Sequence, residues 1–586
     1  MRVFNEGWRG APANADLDPL EREWRASGGE SSERVAWYVY DWANSVYSSV
    51  CISLVILLFL TTMAQRQAQT EIASCPATCS VEGGCVTDNG SPAPSGCQAC
   101  VVGIGTRLWD GAQLTEMPVS TVDFFGPVEH FTFATRVVSV SVGVQAIMFI
   151  TFGAVADYGS WRKAGLVAAS VLGFVATVSF VFLGDPQQYL AAAWLAIISN
   201  SCFGVAIVYY NAYLPLLVDL HPEVEQSIGG LHETAVRDEI SNFMSSVGLA
   251  SGFLSAFVFQ IFAAGLLVAV PSNADNQNLG HRLVICLGAV WWGVWSVWTF
   301  LRLKPHPAKA LPPGEWLLTK GWTSTAAKLG QAASFSETLK LLVAYFLYSD
   351  SYSTIASLGV LVMQQQICMT LLPLFVISTL VLVCALAGNF LSLRIQQYFK
   401  LQPKYMIFGC LCVYALICVV GILGLIPGSP LGLKSEPEAY IFGALHGLML
   451  GPVQSYSRTL YSDLVIPGKE AEFFALYEIS DKGSSWLGPL VIGEIFRATR
   501  NINAGFVYLI VMTIFPALLL LTVDHRKVMA EVRKLASQEG AHAPTAQELQ
   551  VQMGAPRDTS NPPAGEVHNV VELSSPAIGP GVQKMQ

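Results

Sequence analysis

Long apolar stretches recur along this chain, each bounded by polar or charged residues. The first stretch contains Tyr40-Asp41-Trp42-Ala43-Asn44-Ser45 and then runs apolar for about 18 residues, which is long enough to cross the hydrocarbon core of a bilayer. A hydropathy window of about 19 residues predicts twelve such spans. They lie near residues 37–63, 131–156, 164–183, 188–217, 239–269, 282–303, 338–361, 367–393, 405–427, 438–462, 471–497 and 503–523.

The spans fall into two groups of six, separated by a segment rich in proline and lysine. The pattern therefore predicts an all-α polytopic membrane protein with twelve transmembrane helices in two six-helix halves. The predicted parts are an N-terminal tail (1–36), the first half (37–303, with a non-cytosolic loop at 64–130), a linker (304–337), the second half (338–523) and a mostly disordered tail (524–586).

Composition supports this class and excludes others. Hydrophobic residues make up 52% of the chain and charged residues 13%, which a soluble globular domain of this length does not show. The net charge of -9 lies largely in termini and loops and indicates no particular partner, and a nucleic-acid role is excluded. Because no basic leader with a small-residue cleavage site precedes the first span, we expect that span to be retained as an anchor.

The distribution of lysine and arginine predicts the orientation. Alternate connections carry the larger share: Arg162 and Lys163, Arg237, the linker lysines, Arg394 with Lys400 and Lys404, Lys469, and Arg526 with Lys527. The other connections carry fewer basic residues. By the positive-inside rule, both termini are predicted to be cytoplasmic, and the long first loop lies on the opposite side.

That first loop contains five cysteines, Cys75, Cys79, Cys85, Cys97 and Cys100. On an oxidising lumenal or extracellular side disulfides are favoured, although the Cys-x3-Cys and Cys-x2-Cys spacings would also suit a four-thiolate zinc site. Five is an odd number, so one thiol is left free or pairs elsewhere. Asn89-Gly90-Ser91 is a candidate glycosylation acceptor in the same loop, and both cues fit a secretory-pathway membrane.

Polar side chains recur at helical spacing on some spans only. In the first span Asp41, Asn44, Ser45 and Ser48 share one face, and in the seventh Asp350 begins the same pattern, whereas spans three, six, nine and twelve carry no charge in their interiors. Ionisable groups inside a membrane are costly and usually face a partner or a watery cavity. We therefore predict a substrate-binding or coupling site formed by Asp41, Asn44, Asn211, Asp350, Gln454, Arg458, Glu478, Asp481 and Lys482.

Depth along the helices sharpens this hypothesis. At 1.5 Å per residue Lys482 lies roughly 16 Å beyond Ala471, and Asp350 roughly 15 Å beyond Lys340, so both are near the middle of the bilayer. One interpretation is a Glu478–Lys482 pair at i, i+4 that merely stabilises one helix. The other is that Lys482 binds the carboxylate of a zwitterionic solute while Asp350 or Glu478 meets its amine, or a proton that is transported with it.

A glycine-containing turn follows the second span. It comprises Gly153, Asp157, Gly159, Arg162 and Lys163, where the acid can sit against a helix N-terminus or Arg162 and the basic pair stays in the headgroup zone. This turn resembles the loop-two signature of the major facilitator superfamily, with one extra residue between Gly159 and Arg162. An ordinary positive-inside turn is the alternative interpretation.

More specific segments resemble the autophagy-linked vacuole effluxer family of that superfamily. They are Tyr40 to Ser45, Tyr209-Tyr210-Asn211-Ala212-Tyr213-Leu214-Pro215, and the run from Gln454 through Ser457-Arg458 and Glu472-Phe473-Phe474-Ala475-Leu476-Tyr477-Glu478 to Pro489. Ala475 stands where a glycine is expected. The resemblance implies a major facilitator fold and a vacuolar or lysosomal permease that returns amino acids to the cytosol, with the plasma membrane as the alternative location.

The leading hypothesis is thus a secondary active transporter that exports amino acids or similar small zwitterions by alternating access, with proton coupling. The alternatives are a membrane solute sensor or receptor with a transporter fold, and a carrier for another small polar solute. An enzyme is not indicated, because His-Glu-x-x-His, Gly-x-Ser-x-Gly and Walker motifs do not occur. We expect no cofactor and no metal, and a protein that acts as a monomer in the lipid bilayer.

Overall fold

The computed structural model is almost entirely helical. The residues that it describes are 30–69, 77–80, 84–87, 107–110, 113–116, 121–129, 133–227, 233–270, 274–306, 308, 316–331, 336–365, 367, 369, 371–426, 428–462, 465, 469–484, 487–499, 501–524, 527–528 and 531. The N-terminal tail before residue 30 and nearly all of the predicted disordered tail therefore lie outside the described residues.

The first half begins earlier than the hydropathy predicts, because its first helix starts at Glu30, inside the predicted tail. Between α1 and α2 the chain forms nine residues of π-helix, Tyr47–Val55. The helices are α1 (Glu30–Val46), α2 (Ile56–Gln69), α3 (Phe133–Gly153), α4 (Trp161–Val178), α5 (Tyr189–Asn211), α6 (Tyr213–Asp219), α7 (Pro222–Ser227), α8 (Glu233–Ala269) and α9 (Ala274–Arg302).

The second half is built in the same way. Its helices are α11 (Ser336–Gln365), α12 (Leu371–Phe399), α13 (Pro403–Leu423), α14 (Glu436–Ser462), α15 (Glu470–Ser484), α16 (Leu487–Thr499) and α17 (Gly505–Thr522), with α10 (Leu317–Gln331) in the linker before them. The predicted eleventh span thus consists of two helices, α15 and α16.

Nine helical segments within the described residues are long and apolar enough to cross a membrane. The remaining long elements of the second half, α11, α14 and the α15–α16 pair, are those on which the sequence places the polar stripes. Counting them as spans gives the twelve that the hydropathy predicts, and the exact number stays a prediction.

Within the described residues, the most extensive contacts between helices of the two halves fall into two groups. In one group, α8 of the first half packs on α12 and α14 of the second. In the other group, α15 packs on α3 and α5. The polar residues of interest lie on α1, α5, α8, α14 and α15, so the fold brings them to this interface.

The described residues of the long first loop form short β-strands. The loop contains three antiparallel hairpins made of β1 (Ala77–Ser80) with β2 (Gly84–Thr87), β3 (Arg107–Asp110) with β4 (Gln113–Glu116), and β5 (Thr121–Asp123) with β6 (Pro127–Glu129). In the first hairpin the backbone register places Cys79 opposite Cys85. Cys75, Cys97 and Cys100 lie outside the described residues, and the choice between disulfides and zinc stays open.

Close packing of α14 on α12 depends on glycine. A Cβ atom on Gly447 would lie 2.8 Å from the Cα atom of Val381 and 2.9 Å from the Cβ atom of Cys384. Real Cβ atoms do not approach backbone so closely, so the two helices could not stay at their present separation. Small residues at such positions allow helix backbones to approach within a membrane.

We predict that Gly447→Ala lowers the free energy of unfolding by about 1–3 kcal/mol, because the added methyl overpacks this contact. The matched control is Gly409→Ala on α13, where a Cβ atom would meet nothing within 4 Å. Thermal unfolding in mild detergent compares the two variants. Equal stability of both would show that the α12–α14 contact is looser than described.

Candidate solute-binding and coupling site

An ion pair joins the two halves in the interior of the bundle. Asp41 on α1 and Arg458 on α14 are each about 5% exposed, and Nη1 of Arg458 lies 3.4 Å from Oδ2 of Asp41. The hydroxyl of Tyr210 donates a hydrogen bond of 2.7 Å to the same carboxylate oxygen. Gly248 on α8 leaves room for this carboxylate, since a Cβ atom there would lie 2.6 Å from Oδ2.

Arg458 also contacts Ser245 and Trp37 of the first half. Its Nε donates to the hydroxyl of Ser245 at 2.9 Å, and its Nη2 donates to the carbonyl oxygen of Ser245 at 2.6 Å. Its guanidinium carbon lies 5.0 Å from the centre of the Trp37 ring, which stacks on Tyr210. The planar fork of arginine suits such a multiple contact, and each hydrogen bond offsets part of the cost of burying the charge.

Asn211 extends this cluster to α15. Its amide oxygen accepts a long hydrogen bond of 3.5 Å from Nη1 of Arg458, and its amide nitrogen donates to Oε1 of Glu478 at 3.1 Å. Glu478 is 4% exposed. One asparagine of the first half therefore bridges a cation and an acid of the second half. We call Asp41, Tyr210, Asn211, Ser245, Arg458 and Glu478 the interface cluster.

Lys482 differs from the interface cluster in its accessibility. Its side chain is 41% exposed although it lies 12 residues, roughly 18 Å, beyond the start of α15, and Nζ is 2.9 Å from Oδ2 of the neighbouring Asp481. Glu478 contacts Asn211 of the first half, and Lys482, four residues later, lies near the same face of α15. A lysine facing lipid at this depth would be costly, so we infer a water-accessible space beside Lys482, which we call the chamber.

Tyrosines surround Asp481. Its carboxylate accepts hydrogen bonds from the hydroxyls of Ser349 and Tyr352 on α11, the latter at 3.1 Å. Tyr345 stacks on Tyr477 with ring centres 4.6 Å apart. Glu478 bonds to Asn211 and Lys482 to Asp481, while Glu478 and Lys482 also interact electrostatically along the helix.

Asp350 lies in the second half, apart from the interface cluster. It is fully buried, and its carboxylate accepts hydrogen bonds from the Gly488 amide at 3.2 Å, the Thr354 hydroxyl at 3.3 Å and the Tyr508 hydroxyl at 3.4 Å. All of these partners belong to the second half. The predicted place of Asp350 in a cluster shared with the first half is therefore not observed, because its stripe on α11 turns toward α16 and α17.

The two predicted amide residues lie next to the interface cluster. Asn44 is buried one turn after Asp41, on the same face of α1. Gln454 is half-buried one turn before Arg458, on the same face of α14.

The sequence analysis did not predict that Tyr210 and Ser245 belong to the site. Two features of the sequence could have indicated them: Tyr210 is next to Asn211, and Ser241 and Ser245 are one helical turn apart on α8.

The turn after α3 forms a second contact between the halves. The carboxylate of Asp157 accepts hydrogen bonds of 2.8 Å from the backbone amides of both Ala471 and Glu472, at the start of α15. An acid at a helix N-terminus is stabilised by the helix dipole. Arg162 lies 2.7 Å from Glu470 and 3.5 Å from Asp157, and we call these contacts the Asp157 clamp.

The two glycines of this turn are required for different structural reasons. A Cβ atom on Gly153 would collide with the side chain of Ala475, so α3 and α15 are in close contact at this end of the bundle. Gly159 has a φ angle of 55°, in the left-handed region that favours glycine. Lys163 is half-buried on the first turn of α4.

Solved structures define the class of this fold. The chain aligns with an Escherichia coli fucose:proton symporter at a TM-score of 0.51 (12% identity, covering 86% of this chain and 98% of that one). It aligns with the human organic anion transporter MFSD10 at a TM-score of 0.50 (12% identity, covering 86% and 100%). The protein therefore has the fold of a major facilitator superfamily transporter.

Sequence comparison gives the particular family. Residues 30–533 match the family model described as "Vacuole effluxer Atg22 like", and the chain belongs to that family. It is similar to autophagy-related protein 22-1 of Penicillium rubens (30% identity, covering 84% of this chain and 90% of that protein) and to autophagy-related protein 22 of Coccidioides immitis (28%, 86% and 88%). The expected family and fold class are confirmed.

We predict that Arg458→Met lowers the free energy of unfolding by about 3–5 kcal/mol, because it leaves the Asp41 charge buried without its cation. Asp41→Leu combined with Arg458→Met should be much less damaging than the single change. The matched control is Arg237→Met, whose ion pair with Asp219 is partly exposed and should contribute no more than about 1 kcal/mol. Denaturant titration of the purified protein measures all three, and a double variant as unstable as Arg458→Met would contradict the pairing.

Proposed function

We propose that this transporter carries amino acids or similar small zwitterions from a vacuolar or lysosomal lumen to the cytosol. The observation that supports the substrate class best is the half-exposed Lys482 beside Asp481 and Glu478 in the chamber. A zwitterion brings one carboxylate and one ammonium group, and this chamber offers a cation and acids within one helical turn.

Binding would proceed by exchange of partners. The solute carboxylate takes the place of Asp481 at Lys482, since the lysine is the accessible cation of α15. The solute amine then contacts Asp481 or Glu478. Charge-assisted hydrogen bonds of this kind contribute about 1.5–3 kcal/mol each, which is sufficient for a solute that must also be released.

Alternating access follows from the two kinds of contact between the halves. The Asp157 clamp closes the end of the bundle that the basic residues predict to be cytosolic. With that end closed, a solute enters from the lumen. Opening toward the cytosol then requires the Asp157 clamp to release α15 and the interface cluster to rearrange.

Proton coupling is the second part of the proposal. Glu478 contacts the first half through Asn211. It also lies on the same face of α15 as Lys482. Taking up a proton there removes a negative charge from the interface cluster and loosens its hold on Asn211. We therefore expect a proton to accompany the solute from an acidic lumen.

We predict saturable efflux of one or more labelled amino acids from proteoliposomes containing the purified protein, with Lys482→Gln reducing the rate at least tenfold. The matched control is Lys340→Gln on α11, because Lys340 is similarly exposed (39%) and is paired with Glu337 at 2.9 Å, away from the chamber. Equal loss in both variants, or normal flux in Lys482→Gln, would contradict this site.

We further predict that an acidic lumen accelerates wild-type flux and that Glu478→Gln abolishes this acceleration. Flux is measured at several lumenal pH values with a fixed cytosolic pH. Retained acceleration in Glu478→Gln would exclude this residue as the coupling group. Binding of amino acids without any flux would instead favour the sensor alternative.

A further inference from the structure

The linker helix α10 carries large apolar side chains on its outer surface. Trp316, immediately before it, is 79% exposed, and Leu318 and Trp322 are 51% and 46% exposed. Gly321, next to Trp322, lies against the backbone of Ile150 on α3. Two indoles and a leucine so exposed on one short segment would be unfavourable in water, which indicates that something apolar covers them.

The position of α10 along α3 shows what lies beside this surface. Nε1 of Trp322 donates a hydrogen bond of 3.1 Å to the hydroxyl of Thr151. Thr151 is 18 residues, roughly 27 Å, beyond the start of α3 at Phe133, which is close to the thickness of the hydrocarbon core. Ile147, one turn earlier, is 57% exposed on this span. The Trp322 indole therefore lies at the membrane–water boundary.

The composition of α10 suits that boundary. Lys320 and Lys328 lie on it, and no acidic residue occurs from Trp316 to Gln331. Tryptophan is enriched at the headgroup level, and lysine is attracted to the anionic lipids of a cytoplasmic leaflet. A helix with exposed tryptophan and leucine on one side and lysine nearby is typical of helices that lie in the plane of the membrane surface.

We propose that α10 is an interfacial membrane helix, with Trp316, Leu318 and Trp322 immersed in the headgroup region of the leaflet at the Asp157 end. The helix also packs on the turn Ala154–Asp157, which contains the acid of the Asp157 clamp. Lipid contact thereby holds the linker against the element that closes this end of the transporter.

The test is fluorine NMR of the full chain labelled with 5-fluorotryptophan in lipid nanodiscs. Trp316→Phe and Trp322→Phe assign the two resonances, and Trp292→Phe assigns a fully buried tryptophan as the internal control. Lipids with a nitroxide near the headgroup should broaden the Trp316 and Trp322 resonances at least fivefold more than a water-soluble gadolinium chelate does. Trp292 should respond to neither probe.

Two other outcomes would overturn the proposal. Broadening by gadolinium but not by the lipid nitroxide would place α10 in water, and broadening by neither would mean that protein covers it. A pair of charge substitutions adds a second measurement. Leu318→Glu should reduce the lipid broadening of Trp322 by at least half, whereas Thr319→Glu, at an exposed neighbouring position, should leave it unchanged.

Discussion

The burial of the Arg458 guanidinium at the interface of the two halves is the constraint on which the rest of this structure depends. A buried charge without a partner is strongly destabilising, and Arg458 takes its partners from α1, α5 and α8 of the other half. The halves cannot separate here unless Asp41, Asn211 and Ser245 release it. In the alternating access that we propose, movement between the halves would therefore exchange this set of hydrogen bonds for another.

Helix α15 connects the chamber to the Asp157 end of the bundle. Its first amides are held by Asp157, and Lys482 lies 11 residues beyond Ala471 on the same helix, roughly 16 Å away. A displacement of α15 that frees the Asp157 clamp must also move Glu478 and Lys482 relative to Asn211. In the transport cycle that we propose, occupancy of the chamber and release of the Asp157 clamp would therefore be linked through α15.

Hydropathy predicted where the spans lie, and helical spacing selected Asp41, Arg458 and Glu478, because a charge inside a membrane segment must face protein or water. The same reasoning could not predict which residues these charged side chains contact. Asp350 begins the same stripe as Asp41, yet it is satisfied within its own half, and spacing alone suggested Glu478 rather than Asp481 for Lys482. Partners across the interface depend on tertiary packing, and the hairpins and α10 are too short for the hydropathy pattern to distinguish.

A reversible cross-link between the halves tests the central claim most directly. The hydroxyls of Ser246 on α8 and Ser455 on α14 lie 2.7 Å apart across the interface, so cysteines at both positions could form a disulfide with little movement. If the halves must separate here during each cycle, oxidation of the double variant should abolish the amino-acid flux that we propose, reduction should restore it, and neither single cysteine should respond. Undiminished flux from protein that mass spectrometry shows to be fully cross-linked would contradict the account.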